Sequence, residues 1–217
     1  RIIWSFFLMA AVIYLSGKMN EILTLLKDIG SLKALFLSGT LISINWGVYV
    51  YAVSNGKILD TSIGYFINPL INMLLGVIVF KERLGKSGVV AVCIVMVAVF
   101  VQIYFQGGLP LVSIILPLSF GLYGVVRKKA KISAFNGLFI ETLFIFPFAF
   151  GYVLWLVFHS QSHFGLNKDS VLMIASSLVT IVPLVAFNAA ATRINLTTIG
   201  YLQYISPTIA ILCAVFI

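Results

Sequence analysis

Eight apolar stretches, each close to twenty residues long, follow one another along this chain with only short polar breaks between them. They cover residues 1–17, 34–54, 61–80, 87–106, 109–126, 134–158, 171–191 and 198–217. About twenty apolar residues of helix cross roughly 30 Å of hydrocarbon, and in lipid a backbone must satisfy its own polar groups. The pattern predicts eight crossings and an all-α, polytopic membrane helix bundle. Composition agrees, with 61% hydrophobic and 9% charged residues, where a soluble domain carries about 25% charged. The chain has no initiator Met and no polar tail after Ile217, which predicts a longer natural protein. The first run lacks the basic head and small-residue cleavage site of a signal peptide.

Charge sets the orientation. If the crossings alternate, the side opposite Arg1 receives Lys18, Lys27, Lys33, Lys81, Arg83, Lys86, Arg127, Lys128, Lys129, Lys131 and Arg193. The Arg1 side receives only Arg1, Lys57 and Lys168. Basic loops mark the cytoplasmic face, so the reading is a multi-pass protein of the plasma (inner) membrane with its basic loops inside. The net charge of +8 is thereby accounted for by topology and by contact with lipid headgroups, and nucleic acid is not expected as a partner. The segment from Lys18 to Lys33 is too polar to cross. Its apolar residues fall at helical spacing, so it reads either as an interfacial helix or as a plain loop. Cys93 and Cys213 fall inside spans without a CxxC partner and read as small buried packing residues.

A motif recurs in the two halves. The first copy is Thr61-Ser-Ile-Gly-Tyr-Phe-Ile-Asn-Pro-Leu-Ile71, and the second is Thr198-Ile-Gly-Tyr-Leu-Gln-Tyr-Ile-Ser-Pro-Thr-Ile209. Pro69 and Pro207 each remove an amide donor and crowd the preceding turn, which predicts an interrupted helix in each half. Broken helices in corresponding positions of two halves point to a transporter's binding site. Five crossings separate the copies, and an odd number forces opposite orientations, so the repeat is an inverted one. With five helices per repeat, residues 1–106 form a first repeat lacking its opening helix. Residues 107–217 form a second lacking its closing helix, so the complete protein has ten crossings.

Further blocks carry a resemblance. Asn45-Trp46, Gly64-Tyr-Phe-Ile-Asn-Pro69, Glu82-Arg83, Tyr123-Gly-Val-Val-Arg-Lys128, Glu141-Thr142 and Ala189-Ala-Ala-Thr-Arg193 occur in this order. Together they resemble the RarD subgroup of the EamA-type drug/metabolite transporters, from Arg1 to Ile217. The resemblance implies a ten-helix bundle of two inverted five-helix repeats around a central cavity. It also implies a secondary transporter, often an exporter of amino acids, metabolites or drugs.

The sparse polar residues within spans supply the candidate chemistry. Asn68 and Asn72 lie beside Pro69, and Gln203, Tyr204 and Ser206 beside Pro207. They line a substrate cavity or make interhelical hydrogen bonds. Tyr65, from the first Gly-Tyr pair, joins the cavity candidates. Asn45, Trp46 and Tyr49 form a second group, with Trp46 too deep for an interfacial belt. That indole either stacks on a flat substrate or fills the core. Glu141 is the one acid inside a span, at a depth of roughly 10 Å. It is either a proton-coupling site or the fixed partner of Arg127 or Arg193, because an ionisable group at that depth needs a cavity or a partner. Tyr123, a further cavity candidate, shares a helix face with Arg127, whose run of basic residues is most simply a topology anchor.

Other classes lack support in the residues. There is no GxxxxGK[ST] loop for nucleotide-driven transport. There is likewise no HExxH, no GxSxG and no pair of intramembrane carboxylates for an enzyme. His159 and His163 are four apart but fall in a polar loop without acidic support, so no metal and no cofactor is expected. The expected partners are a small-molecule substrate and the bilayer. An uptake permease or a channel-like protein is the alternative to an exporter, although no ring of similar charges suggests a pore. Substrate, direction, coupling ion and oligomeric state are not legible in the residues.

Overall fold

The computed structural model describes residues 2–106, 111–159 and 168–216. Every regular element among them is a helix: α1 (Ile2–Leu15), α2 (Met19–Lys27), α3 (Ile29–Ser54), α4 (Ile58–Phe80) and α5 (Lys86–Gln106), then α6 (Leu111–Ala130), α7 (Ala134–Phe158), α8 (Lys168–Ala191), α9 (Leu196–Gln203) and α10 (Ile205–Phe216). Among the described residues, six helices are long and apolar enough to cross a bilayer: α3, α4, α5 over Gly88–Phe105, α6, α7 and α8 over Ser170–Ala191.

The expected crossings at the two ends differ from single spans. α1 has only 14 residues, a rise of about 21 Å. It closes on a turn in which the amides of Gly17 and Lys18 donate to the carbonyls of Tyr14 and Ile13. The chain then bends by 113° into α2. The polar segment after Lys18 is therefore a helix, not a plain loop. Asp28 ends it and starts the next: its carboxylate accepts from the amides of Gly30 and Ser31, both at 3.1 Å. These bonds, with a further one from the Ser31 side chain first among them, hold the Asp28 carboxyl below its ordinary value.

The last expected span is two helices, α9 and α10, with Tyr204 between them. The amide that Pro207 lacks would have answered the carbonyl of Gln203, the residue at which α9 stops. Pro207 itself sits in the first turn of α10, where a missing donor is harmless. Pro69 behaves differently and corrects the expectation of a break in each half. α4 runs on through it, just as α6, α7 and α8 run on through Pro117, Pro147 and Pro183. The carbonyl that would have accepted from residue 69 is that of Tyr65; one residue on, the Tyr204 hydroxyl donates to the Phe66 carbonyl at 3.3 Å.

The helices form two compact units. The first comprises residues 1–40 and 126–192, the second 41–125 and 193–217. In the first, α1 packs along α7, with further contacts of α1 and α7 to α8 and of α2 to α7. Phe6 stacks on Phe139 at 5.7 Å and meets Phe146 at 4.5 Å, over buried Met9, Ile13, Leu138 and Ile140. In the second, the main seam joins α4 to α9. Gly200 makes that seam close: a Cβ there would lie 2.8 Å from the Pro69 carbonyl oxygen and 2.6 Å from Met73 Cγ. Ala52, Val112 and Leu116 form a further core, with Val48 and Tyr49 against it.

Cys93 and Cys213 are exposed, which corrects their reading as buried packing residues. Both sit on apolar helices whose outer faces suit hydrocarbon, so a thiol there needs no protein neighbour.

Candidate functional site

Two polar arrangements lie within the helices, one in each unit. The first unit holds the charges. Arg127, in the last turn of α6, and Glu141, in the second turn of α7, are both fully buried. Their charged atoms stand 3.5 Å apart. Ser38 of α3 donates to the same carboxylate oxygen at 2.5 Å. The other arm of the guanidinium donates to the carbonyls of Ser133 and Ala134, at 3.2 and 3.5 Å. Those two residues open α7, and the Ser133 hydroxyl caps it by accepting from the amide of Asn136. The guanidinium lies where a side chain at Gly137 would be, so any other residue there would have to displace it. Of the two partners expected for Glu141, the ion pair forms with Arg127, whereas Arg193 is exposed in the turn before α9. The buried acid is thus neutralised by a cation held by its own backbone contacts.

The second unit holds amides and phenols. The Asn72 side chain is fully buried and donates to the Gln203 amide oxygen at 2.6 Å. This ties α4, just after the first copy of the repeated motif, to the second copy in α9. The Oδ1 atoms of Asn68 and Asn72 are buried without a hydrogen-bond partner among the described residues. Pro69 is buried beside them, and Tyr204 bonds the Phe66 carbonyl one turn away. Asn45 donates from α3 to the Leu116 carbonyl at 2.8 Å and to Ser119 at 3.0 Å, tying α3 to α6. The Tyr49 and Tyr65 rings meet edge to face at 6.1 Å, with Tyr65 largely exposed. Trp46 is half-buried. Tyr123 is fully buried, with its ring beside Phe120, so it is a core residue here and not an exposed lining.

One residue escaped the sequence reading as a site residue. Glu82, in the turn after α4, accepts from the amides of Leu196 and Thr197, both at 2.9 Å. It therefore caps α9 from across the sequence, where a carboxylate also suits the positive end of the helix dipole. The helix's own capping position, Asn195, makes no side-chain cap. The residue type was visible in the Glu82-Arg83 block, but a cap supplied from 114 residues away has no local signature. Near the other loop, the His159 ring lies against Trp155 at 4.6 Å, while His163 lies outside the described residues. Among the described residues, no group of three or more acids, histidines or cysteines gathers as a metal site would require.

Among the described residues, the all-helical fold, the six helices long and apolar enough to cross a bilayer and the sparse polar groups inside them fit a polytopic integral membrane protein, and the comparisons give its class as transporter. The EamA-like transporter family matches residues 1–104. Protein RarD of Escherichia coli (strain K12) is 41% identical over 217 residues, covering 99% of this chain and 73% of that protein. An uncharacterized transporter of Bacillus subtilis (strain 168), YojE, is 38% identical, covering 100% of this chain and 74% of its own length. A protein of Pseudomonas aeruginosa described as chloramphenicol-sensitive protein RarD is 27% identical, over 82% of this chain and 60% of that protein. No solved structure matches the chain. The chain belongs to the EamA-like transporter family, as a RarD-type member.

Proposed function

We propose that this chain is the greater part of a secondary transporter working by alternating access, and that it exports small amphipathic metabolites, amino acids or drugs. The observation that carries the reading is which helices pack together. The two principal seams join α1 to α7 and α4 to α9. In the proposed inverted repeats, residues 1–106 and 107–217, these pairs are the equivalents of one another, each five crossings apart. Helices next to a pseudo-two-fold axis meet their own counterparts, and transporter substrate sites lie at such repeat interfaces. The reading keeps eight crossings of ten, counting α1 and the α9–α10 pair, and places the basic loops in the cytoplasm by the positive-inside bias.

In this reading the substrate meets α4 and the break at Tyr204. Asn68 and Asn72 offer unmet acceptors, while Tyr49, Tyr65 and Trp46 offer aromatic surface. Glu141 serves proton coupling only if it gains and loses a proton beside Arg127 during the cycle. The name of the Pseudomonas relative makes chloramphenicol the first compound to test.

The test compares cells expressing the full-length protein with cells carrying a Glu141→Gln, Asn68→Ala variant or an empty vector. A compound enriched in the medium and depleted inside, only with the unaltered protein, is the expected result. Identical distributions for all metabolites and for added chloramphenicol would remove the export reading. Separately, Glu141→Gln should abolish pH dependence of transport, and full retention of that dependence would eliminate the coupling role.

A further inference from the structure

We infer that α2 is a docking surface for anionic phospholipid on the cytoplasmic leaflet, an inference that uses the positive-inside orientation proposed above but no statement about transport. Three features of the first unit carry it. The first is direction: α2 leaves α1 at 113°, so it lies across the course of that apolar helix and does not prolong it. The second is its surface. One side is taken by the protein, with Ile22 buried and Glu21 accepting from the Asn136 amide of α7 at 2.6 Å. On the adjoining side Met19 and Leu23, one turn apart, stay 42% and 51% exposed, and Asn20, Thr24 and Lys27 form the polar side. Apolar, protein-bound and polar strips around one short helix are the arrangement of a helix lying in the interface plane.

The third feature is charge. This region carries two acids and three lysines, and both acids have their carboxylates turned onto the protein's own donors. Glu21 binds Asn136, and Asp28 binds the amides of Gly30 and Ser31. Lys18, Lys27 and Lys33 make no ion pair among the described residues, and Lys27 and Lys33 are exposed. Lys129 and Lys131 are exposed too, in the turn leading to Asn136, the residue that Glu21 binds. Glu21 and Asp28 are exposed and keep their charge, but the five lysines outnumber these two acids, so the surface is net basic. Basic residues beside an inserted apolar strip select a surface of anionic headgroups over a zwitterionic one. The hydrogen bond between Glu21 and Asn136 fixes the docked helix to the first turn of α7.

The test uses the full-length protein with Cys93→Ser and Cys213→Ser, and a polarity-sensitive nitrobenzoxadiazole label on Leu23→Cys. Nanodiscs contain either phosphatidylcholine alone or a mixture with phosphatidylglycerol. The label should emit at shorter wavelength in the anionic discs than in the zwitterionic ones. A label on Thr24→Cys, on the polar side, should stay water-like in both. Lys18→Gln with Lys27→Gln should reverse most of the shift, because each lysine near an anionic surface changes occupancy roughly fivefold. Should Leu23→Cys label poorly, Met19→Cys reads the same strip. Water-like emission in both lipids overturns docking. Equally apolar emission in both overturns the anionic requirement, and points instead to neutral lipid or to protein covering the strip.

Discussion

The first unit closes around an ion pair and the second around amides, although both are built from equally apolar helices. Arg127 and Glu141 are each fully buried, and a charge in that setting is tolerable only because its partner is within reach. Asn72 buries a neutral dipole against the partly buried Gln203 instead, and the Asn72 Oδ1 stays without a hydrogen-bond partner among the described residues. The arrangements thus differ in how they respond to loss. Removing one ion of a buried pair leaves an uncompensated charge, whereas removing one amide costs little more than its hydrogen bond. A rigid clamp and an adjustable surface are the corresponding uses, and the adjustable one carries the repeated motif.

The largest effect should come from breaking the clamp. Glu141→Leu strands the Arg127 guanidinium and should lower stability by about 3–5 kcal/mol. Adding Arg127→Met to that variant should restore most of the loss. Thermal unfolding of the unaltered protein, both single variants (Glu141→Leu and Arg127→Met) and the double variant in detergent checks this, and a double variant as unstable as Glu141→Leu would refute the pairing as its cause. Next comes the cap from the α4–α5 turn. Glu82→Ala should destabilise α9 by about 1–2 kcal/mol, seen as faster hydrogen exchange at the Leu196 and Thr197 amides. Unchanged exchange there would show that the cap is not formed in the membrane. Smaller still, Asn72→Leu should cost only about 0.6 kcal/mol. A loss as large as that of Glu141→Leu would erase the contrast between the units.

The smallest effect is at the helix start in front of α3. The Asp28 carboxyl is held below its ordinary value of 3.8 by its bonds to Ser31 and Gly30. A lowered folded pKa means that its contribution is present above 3.8 and fades as pH falls through the lower folded value. Exchange at the Gly30 and Ser31 amides should therefore accelerate only below about pH 4. Acceleration already near pH 6 would show that another group protects them.

Much of the fold was legible because membrane helices announce themselves by length and apolarity. All the long spans fall where the runs predict, and α7 matches its expected limits of 134 and 158. The ends were less legible, since a run of apolar letters does not say whether it bends. Proline misled for a related reason. Whether it breaks a helix depends on what packs against the affected turn, and beside Pro69 those neighbours are Gly200 and Tyr204, far along the chain. Within the candidate site, Glu141 was visible as the one acid at depth and Arg127 as one of two cations near it. The pairing of Asn72 with Gln203 was half visible, since both flank the repeated prolines. Glu82 and the tie between Glu21 and Asn136 were not, because long-range partners leave no periodic trace.

That α9 is capped by Glu82 bears on the order in which the protein is made. An eight-residue helix is too short to hold its shape alone, and its first turn takes its acceptor from a residue synthesised more than a hundred positions earlier. The α4–α5 turn must therefore wait, already in place, while four long helices emerge and insert. The first turn of the C-terminal part is thus completed by a group that the N-terminal part supplies, and a chain ending before Leu196 lacks both of the amides that this carboxylate caps.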